Sequence, residues 1–280
     1  MLAYRHLFHA GNFADVFKHA LLAQLLLGLA KKDKPFFCLD THAGTGRYDL
    51  THDWARKNAE YKHGIALVWA RQDAPSEFSP YLDAVRAENP DGKLNFYPGS
   101  PRITRRFMRA HDRLALSELN KKDYEALASL FAHDRQVQVR LLDGYQALKA
   151  FLPPPERRGL VFIDSSFDRA QEFKRLTDGF IEGHGKFATG VYALWYPLMD
   201  AIAMQGFERR VAATGVRKIL QLELSVRNLG VAGSVRGCGM LVVNPPFGFE
   251  AAARKIVTWL WPVLAHGGEG GERVRWLVPE

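Results

Sequence analysis

Cysteine is nearly absent. Among 280 residues only Cys38 and Cys238 occur, too few for a disulfide framework or a cysteine-based metal knuckle. No apolar run reaches the roughly 18 residues of a membrane span. The longest, Ala20 to Ala30, is interrupted by Gln24 and bounded by Lys18 and Lys31. The amino terminus has no uninterrupted apolar stretch behind a basic start, which argues against a secretory signal. No repeat, low-complexity tract or nucleophile–base pair is visible in the chain. These shortages predict a cytoplasmic globular protein without membrane attachment or bound metal.

What is present fits that class. Hydrophobic residues make up 47% and charged residues 24%, ordinary for a folded domain and against disorder. The length allows one large α/β domain or two modest ones. Lys and Arg number 38 against 30 Asp and Glu, a net charge of +8, and the sequence pI is about 9.5. That excess favours a polyanionic partner such as nucleic acid, with a generic basic surface as the plainer explanation. Arg102, Arg105, Arg106 and Arg109 fall on one side of a predicted helix, a solvated face by default and a phosphate-tracking one as the second reading.

A helix is predicted after Asn12, with Asn12 as N-cap, Asp15 in the first turn, and Val16, Phe17, Ala20, Leu21, Leu25 and Leu29 at helical spacing. Pro35 ends it, and Phe36 to Asp40 reads as a buried strand. Six more apolar runs follow, at Leu114 to Leu116, Val137 to Leu142, Leu160 to Ile163, Val191 to Trp195, Ile219 to Leu224 and Met240 to Val243. Most are separated by helix-like stretches, so the expected fold is α/β with a seven-stranded, mainly parallel sheet. The Gly-rich connection Gly230 to Gly239 makes the last two an antiparallel pair at one edge. More than seventy residues separate Asp40 from the second strand, far more than a crossover needs. Residues 47–97 are read as an inserted small helical subdomain, and 1–46 with 98–280 as the main domain.

The first strand ends in Asp40-Thr41-His42-Ala43-Gly44-Thr45-Gly46. An acid followed by G-x-G lets the backbone approach a nucleotide-like ligand, although two glycines alone also suit an ordinary tight turn. The third glycine of a dinucleotide fingerprint and the Lys-Ser/Thr of a phosphate loop are both missing. Later strands close on Glu118, Asp143-Gly144 and Asp164. Acids at four strand ends line the crevice where open α/β sheets bind ligands. Glu118 would hold ribose hydroxyls and Asp143 an adenine amine, the layout of Rossmann-like class I methyltransferases that use S-adenosylmethionine. Amino-methyltransferases acting on bases carry [DNS]-P-P-[YFW] after the fourth strand. There an acid and a backbone carbonyl accept from the exocyclic amine and an aromatic ring stacks on the base. Here that tetrapeptide is Asp164-Ser165-Ser166-Phe167, whereas the full match, Asn244-Pro245-Pro246-Phe247, follows the seventh strand. Topology favours Asp164 as the catalytic acid and the second copy as a rigid turn.

The segment Tyr4-Arg5-His6-x-x-His9-Ala10-Gly11-Asn12-x-x-Asp15-x-x-Lys18-His19 is the other dense cluster. His6, His9, Asp15 and His19 suggest a metal site as a minority reading. An RNA or cofactor patch suits it better, with Tyr4 stacking on a base and Lys18 meeting a carboxylate. His42 is as readily a capping residue as a ligand.

The Tyr4-to-Asn12 start, Lys34-Pro35 with Leu39-Asp40-Thr41-His42-Ala43-Gly44, Tyr97-Pro98-Gly99-Ser100-Pro101, Phe187-Ala188-Thr189-Gly190 with Tyr192-Ala193-Leu194-Trp195-Tyr196-Pro197, and the closing Trp276-Leu277-Val278-Pro279-Glu280 resemble the RlmJ family along the whole chain. That family comprises 23S rRNA adenine-N6 methyltransferases, earlier labelled for use of external DNA. The resemblance implies S-adenosylmethionine as cofactor, contacted by Lys18, His19, His42, Ser100, Glu118, Asp143, Gly144 and Asp164. It implies Asp164 as catalytic acid, Tyr4 as a substrate contact, and 23S rRNA, naked or partly assembled, as partner; Phe167, from the tetrapeptide itself, is the second substrate contact. The departure is Ser165-Ser166-Phe167 where the family has Pro-Pro-Tyr. The Ser165 carbonyl and the Phe167 ring remain, but the fixed proline φ is gone. The alternatives are therefore an RNA-binding protein that keeps the cofactor pocket with impaired catalysis, or a role in use of external DNA.

Overall fold

The structure, a computed structural model, describes residues 5–167, 171–198, 201–227, 236–265 and 267–280. Tyr4 and most of the Gly230–Gly239 connection lie outside the described residues.

Eight strands form the main sheet: β1 (Phe37–Asp40), β4 (Arg113–Glu118), β5 (Val137–Leu141), β6 (Gly159–Ile163), β7 (Val191–Pro197), β8 (Ile219–Ser225), β9 (Gly237–Val243) and β10 (Gly271–Val278). Their order is β10-β8-β9-β7-β6-β1-β4-β5. The five strands from β7 to β5 are parallel, while β9 runs antiparallel to both β7 and β8. The antiparallel β8–β9 pair is as expected, but the edge is not. β10 pairs antiparallel with β8 from Gly271 to Val278, so the sheet has eight strands rather than seven. Charged Arg273 and Arg275 interrupt its apolar residues, and a half-polar edge strand of this kind lacks the continuous apolar run by which the other seven were read.

Strand side chains alternate between two cores. Cys38, Leu114, Leu116, Phe162 and Val242 face one, shared with helices α1 (Phe13–Ala30), α5 (Ser100–Phe107) and α10 (Phe249–Leu264). Leu39, Ala115, Val161, Leu194 and Val243 face the other, which takes in residues of α7 (Gly144–Phe151), α8 (Glu172–Lys186) and α9 (Ala201–Ala212). Helix α6 (Lys121–Leu130) adds Leu127 to the first core. The Asn12 side chain accepts from Asp15 N and caps α1, as the sequence predicts. By length and composition α1 is apolar enough to cross a membrane. Most of its residues are buried within the fold, as befits a helix apolar nearly all round.

Between β1 and α5 the chain forms β2 (Arg47–Asp49), α2 (Asp53–Asn58), α3 (Ile65–Trp69), α4 (Ser79–Ala87) and β3 (Phe96–Pro98), with β2 and β3 joined as an antiparallel ladder. Ile65, Val68, Phe78, Tyr81 and Val85 of this stretch belong to the same core as α1. The Gly64 backbone meets Gly11 so closely that a Cβ there would lie 2.1 Å from the Gly11 carbonyl oxygen.

Candidate functional site

At the carboxyl ends of the parallel strands a cavity of about 620 Å³ opens, within the range of small-molecule and cofactor sites and at the switch point where ligands enter such sheets. Lys18, His19, His42, Ser100, Glu118, Asp143, Gly144, Asp164 and Phe167 all line it. Every site residue expected from the sequence is thus brought together, except Tyr4, which lies outside the described residues.

The glycine turn after β1 is held by Glu118. Its Oε2 accepts from Gly44 N at 2.9 Å, and its Oε1 accepts from Asn120 N at 2.7 Å. Burial raises the Glu118 carboxyl, against those backbone donors. Asp143 caps α7, its Oδ1 accepting from Tyr145 N at 3.0 Å, while Arg175 approaches its Oδ2 at 3.3 Å. Gly144 follows in close contact with the first turn. A Cβ there would sit 2.4 Å from Thr41 O and 2.6 Å from the His42 ring. The Thr41 hydroxyl donates to Phe162 O at 3.1 Å, so the 2.8 Å contact with His42 Nδ1 needs Nδ1–H as donor. Burial lowers the His42 pKa, and the neutral ring keeps an acceptor at Nε2.

Buried charge concentrates on the α1 side. Asp15 is fully buried; its Oδ2 accepts from Gly11 N at 2.8 Å and lies 3.0 Å from His6 Nε2. Lys18 Nζ lies 2.7 Å from Asp15 Oδ1 and 2.7 Å from Asp164 Oδ2, and 5.6 Å from the Trp195 ring centre. Burial would raise the Asp15 carboxyl, but the charges of His6 and Lys18 hold it well below the usual carboxylate range. Burial brings His19 down to about 3, and its Nδ1 meets the Tyr97 hydroxyl at 2.8 Å. Burial pushes Asp40 up to about 7, with the Ser100 hydroxyl opposing and the Asp164 charge adding. His9 faces Glu60 at 2.9 Å instead of joining His6 and Asp15. Among the described residues no group of three or more His, Cys, Asp or Glu is arranged to hold a metal.

Phe167 turns back with φ +51°, unusual for an aromatic residue, and its ring meets Phe173 at 4.8 Å and Trp195 at 5.9 Å, both edge-on. Sequence reasoning missed Trp195, Glu172 and Arg175, which also line the cavity. The first sits inside a strand read only as core, and the other two on a helix without a motif.

The second tetrapeptide lies elsewhere. Because β9 runs antiparallel, Asn244 emerges at the opposite end of the sheet. There it takes φ +53° and donates from Nδ2 to Ala188 O and Gly190 O, each at 2.9 Å. Phe247 points into solvent, 98% exposed. The geometry is that of a turn away from the cavity.

The residues fit S-adenosylmethionine. The paired strand-end carboxylates Glu118 and Asp143 suit ribose and adenine donors, and they line one cavity with the glycine turn after β1.

Residues 33–278 match the family model described as ribosomal RNA large subunit methyltransferase D, RlmJ. Over 280 residues, all of both chains, the protein is 44% identical to ribosomal RNA large subunit methyltransferase J of Escherichia coli strain K12. It is 41% identical over 281 residues to the Haemophilus influenzae protein of the same name, again along the full length of both. The crystal structure of protein LPL1258 from Legionella pneumophila superposes with a TM-score of 0.89 at 37% identity, covering 96% of this chain and 98% of that one. The cavity at the strand ends therefore lies in a member of the RlmJ family of ribosomal RNA large-subunit methyltransferases.

Proposed function

We propose that the chain methylates N6 of an adenine in 23S ribosomal RNA, naked or partly assembled, with S-adenosylmethionine as donor. The observation that carries this reading is Asp164 at the end of β6, its Oδ2 held by Lys18 and the Phe167 ring beside it in the cavity wall. Glu118 would bind the ribose hydroxyls of the cofactor and Asp143 its adenine amine. Gly144, His42, His19, Ser100 and Lys18 would complete the cradle. The cofactor supplies an electrophilic methyl on a sulfonium centre.

Asp164 and the Ser165 carbonyl accept hydrogen bonds from the target amine, which returns lone-pair density from the ring to nitrogen. Asp164 then takes up the proton released on transfer, directly or through water. Phe167 and Tyr4 hold the extruded base by stacking. Residues 47–97 act as an insertion that completes the rim, to which Tyr48, Glu60 and His63 contribute. A ribosomal RNA substrate accords with a cytoplasmic location.

Labelled-methyl transfer to 23S rRNA from a strain lacking its own family member is the test, run beside Asp164→Ala. The wild-type protein transfers label, and the variant loses at least about a hundredfold while cofactor affinity stays near wild type. A variant with strong residual turnover refutes the role of Asp164. The Ser165-Ser166 pair and the left-handed Phe167 backbone favour the second reading. Wild-type protein that binds cofactor and rRNA but transfers nothing establishes that reading, a binder on a methyltransferase fold.

A further inference from the structure

We propose that Asp15 is a positioning residue for methyl transfer, acting through the Lys18 ammonium on Asp164. This rests on the reading of Asp164 as the acid that receives the target amine. The four groups form one chain, His6 to Asp15 to Lys18 to Asp164, in which no successive separation exceeds 3.0 Å.

Lysine is a compact charge on a flexible four-carbon stem. A single ion pair would let the ammonium follow Asp164 wherever that side chain turned. Here a second anion fixes it. Asp15 sits one turn earlier on α1, fully buried, and is itself anchored by the Gly11 amide and by His6. Its backbone is in turn held by the Asn12 cap. The capped end of α1 thus sets where the Lys18 ammonium stands. The ammonium holds Asp164 Oδ2, and among the described residues Asp164 Oδ1 has no hydrogen-bond or ion-pair partner. Oδ1 is the oxygen left to meet an incoming amine. A carboxylate that only stabilised the helix N-terminus would need the macrodipole and the cap, not a second charge shared with a residue at the end of β6.

The test compares wild type with Asp15→Asn and Asp15→Glu. Asp15→Asn keeps the shape and the Gly11 acceptor but removes the charge. Asp15→Glu keeps the charge and the ion pair but shifts the anchor by one methylene. Both are expected to lower kcat at least tenfold while the KM for RNA stays within threefold. The crystal structure of either variant should show Lys18 Nζ or Asp164 displaced from the 2.7 Å pairing. A role confined to stability would lower the unfolding temperature and leave kcat intact below it. If Asp15→Asn does not fold, Asp15→Glu decides by the same two readouts. Wild-type kcat in a folded variant beside an inactive Asp164→Ala overturns the inference and leaves the methyltransferase reading standing. If the wild-type protein itself transfers nothing, that reading fails, and the crystal structure still decides about Asp15. Lys18 unmoved between Asp164 and residue 15 overturns its positioning role.

Discussion

Asp40 ends β1 beside the glycine turn, and burial raises its carboxyl from 3.8 to about 7. A carboxyl harder to ionise in the folded chain than in the unfolded one costs stability as pH climbs between those two values, and the cost is constant beyond them. Asp40→Asn, which can still accept from the His42 amide, should unfold at the same temperature as wild type near pH 4. Its advantage should grow to a plateau above pH 7, on the order of 4 kcal/mol by the size of the shift. Thermal scans across that range check it; a difference that does not change with pH would show that Asp40 ionises as easily folded as unfolded. Single residues were legible where a strand end exposed them. Glu118, Asp143 and Asp164 could be picked out as acids at the mouth of a sheet. Their second tasks could not, because Gly44 N on Glu118 and the capped turn on Asp143 depend on how the loops close. The pairing of Lys18 with Asp164 was hidden for a related reason: it requires knowing which face of α1 looks along the end of β6.

Among elements, the two tetrapeptides are separated by strand direction. Asp164-Ser165-Ser166-Phe167 follows parallel β6 into the cavity, whereas Asn244-Pro245-Pro246-Phe247 follows antiparallel β9 away from it. The Gly-rich connection between β8 and β9 was enough to suggest that reversal from sequence. Pro246 packs on α1 where only glycine fits, since a Cβ on Gly28 would lie 2.6 Å from Pro246 Cβ. Asn244→Ala removes two hydrogen bonds and places an alanine at φ +53°. It should lower stability by about 1–3 kcal/mol in urea unfolding and leave methyl transfer unchanged below the transition. Loss of transfer in a folded Asn244→Ala protein would return this motif to the reaction. The edge strand β10 escaped sequence reading because Arg273 and Arg275 break its apolar pattern; in the fold they pair with Glu208 and Glu223.

For the molecule as a whole, three of the four arginines that looked most like a phosphate track are engaged within the fold, while Arg106 is exposed. Arg102 pairs with Glu88, Arg105 with Asp134 and Arg109 with Asp112. Arg109 also donates to Lys32 O at 2.7 Å and Lys34 O at 3.0 Å, tying the turn after α5 to the segment that follows α1. Arg109→Ala should therefore unfold several degrees lower, at roughly 2–4 °C per kcal/mol, with the salt dependence of RNA binding unaltered. A shallower slope of affinity against salt would put Arg109 on the phosphates after all. Helix α1 has one more consequence, concerning time rather than space. Its apolar surface is covered by α4, α5, the strands and α10, and α10 begins only at Phe249. At ~5–20 residues per second, translation of the intervening roughly two hundred residues takes about 10–40 s. Throughout that interval the side of α1 that packs on α10 has no cover, although α4 and α5 have already been made. Each copy made on the ribosome thus passes through a phase in which one side of its most apolar helix, the side that α10 will cover, is open to other chains.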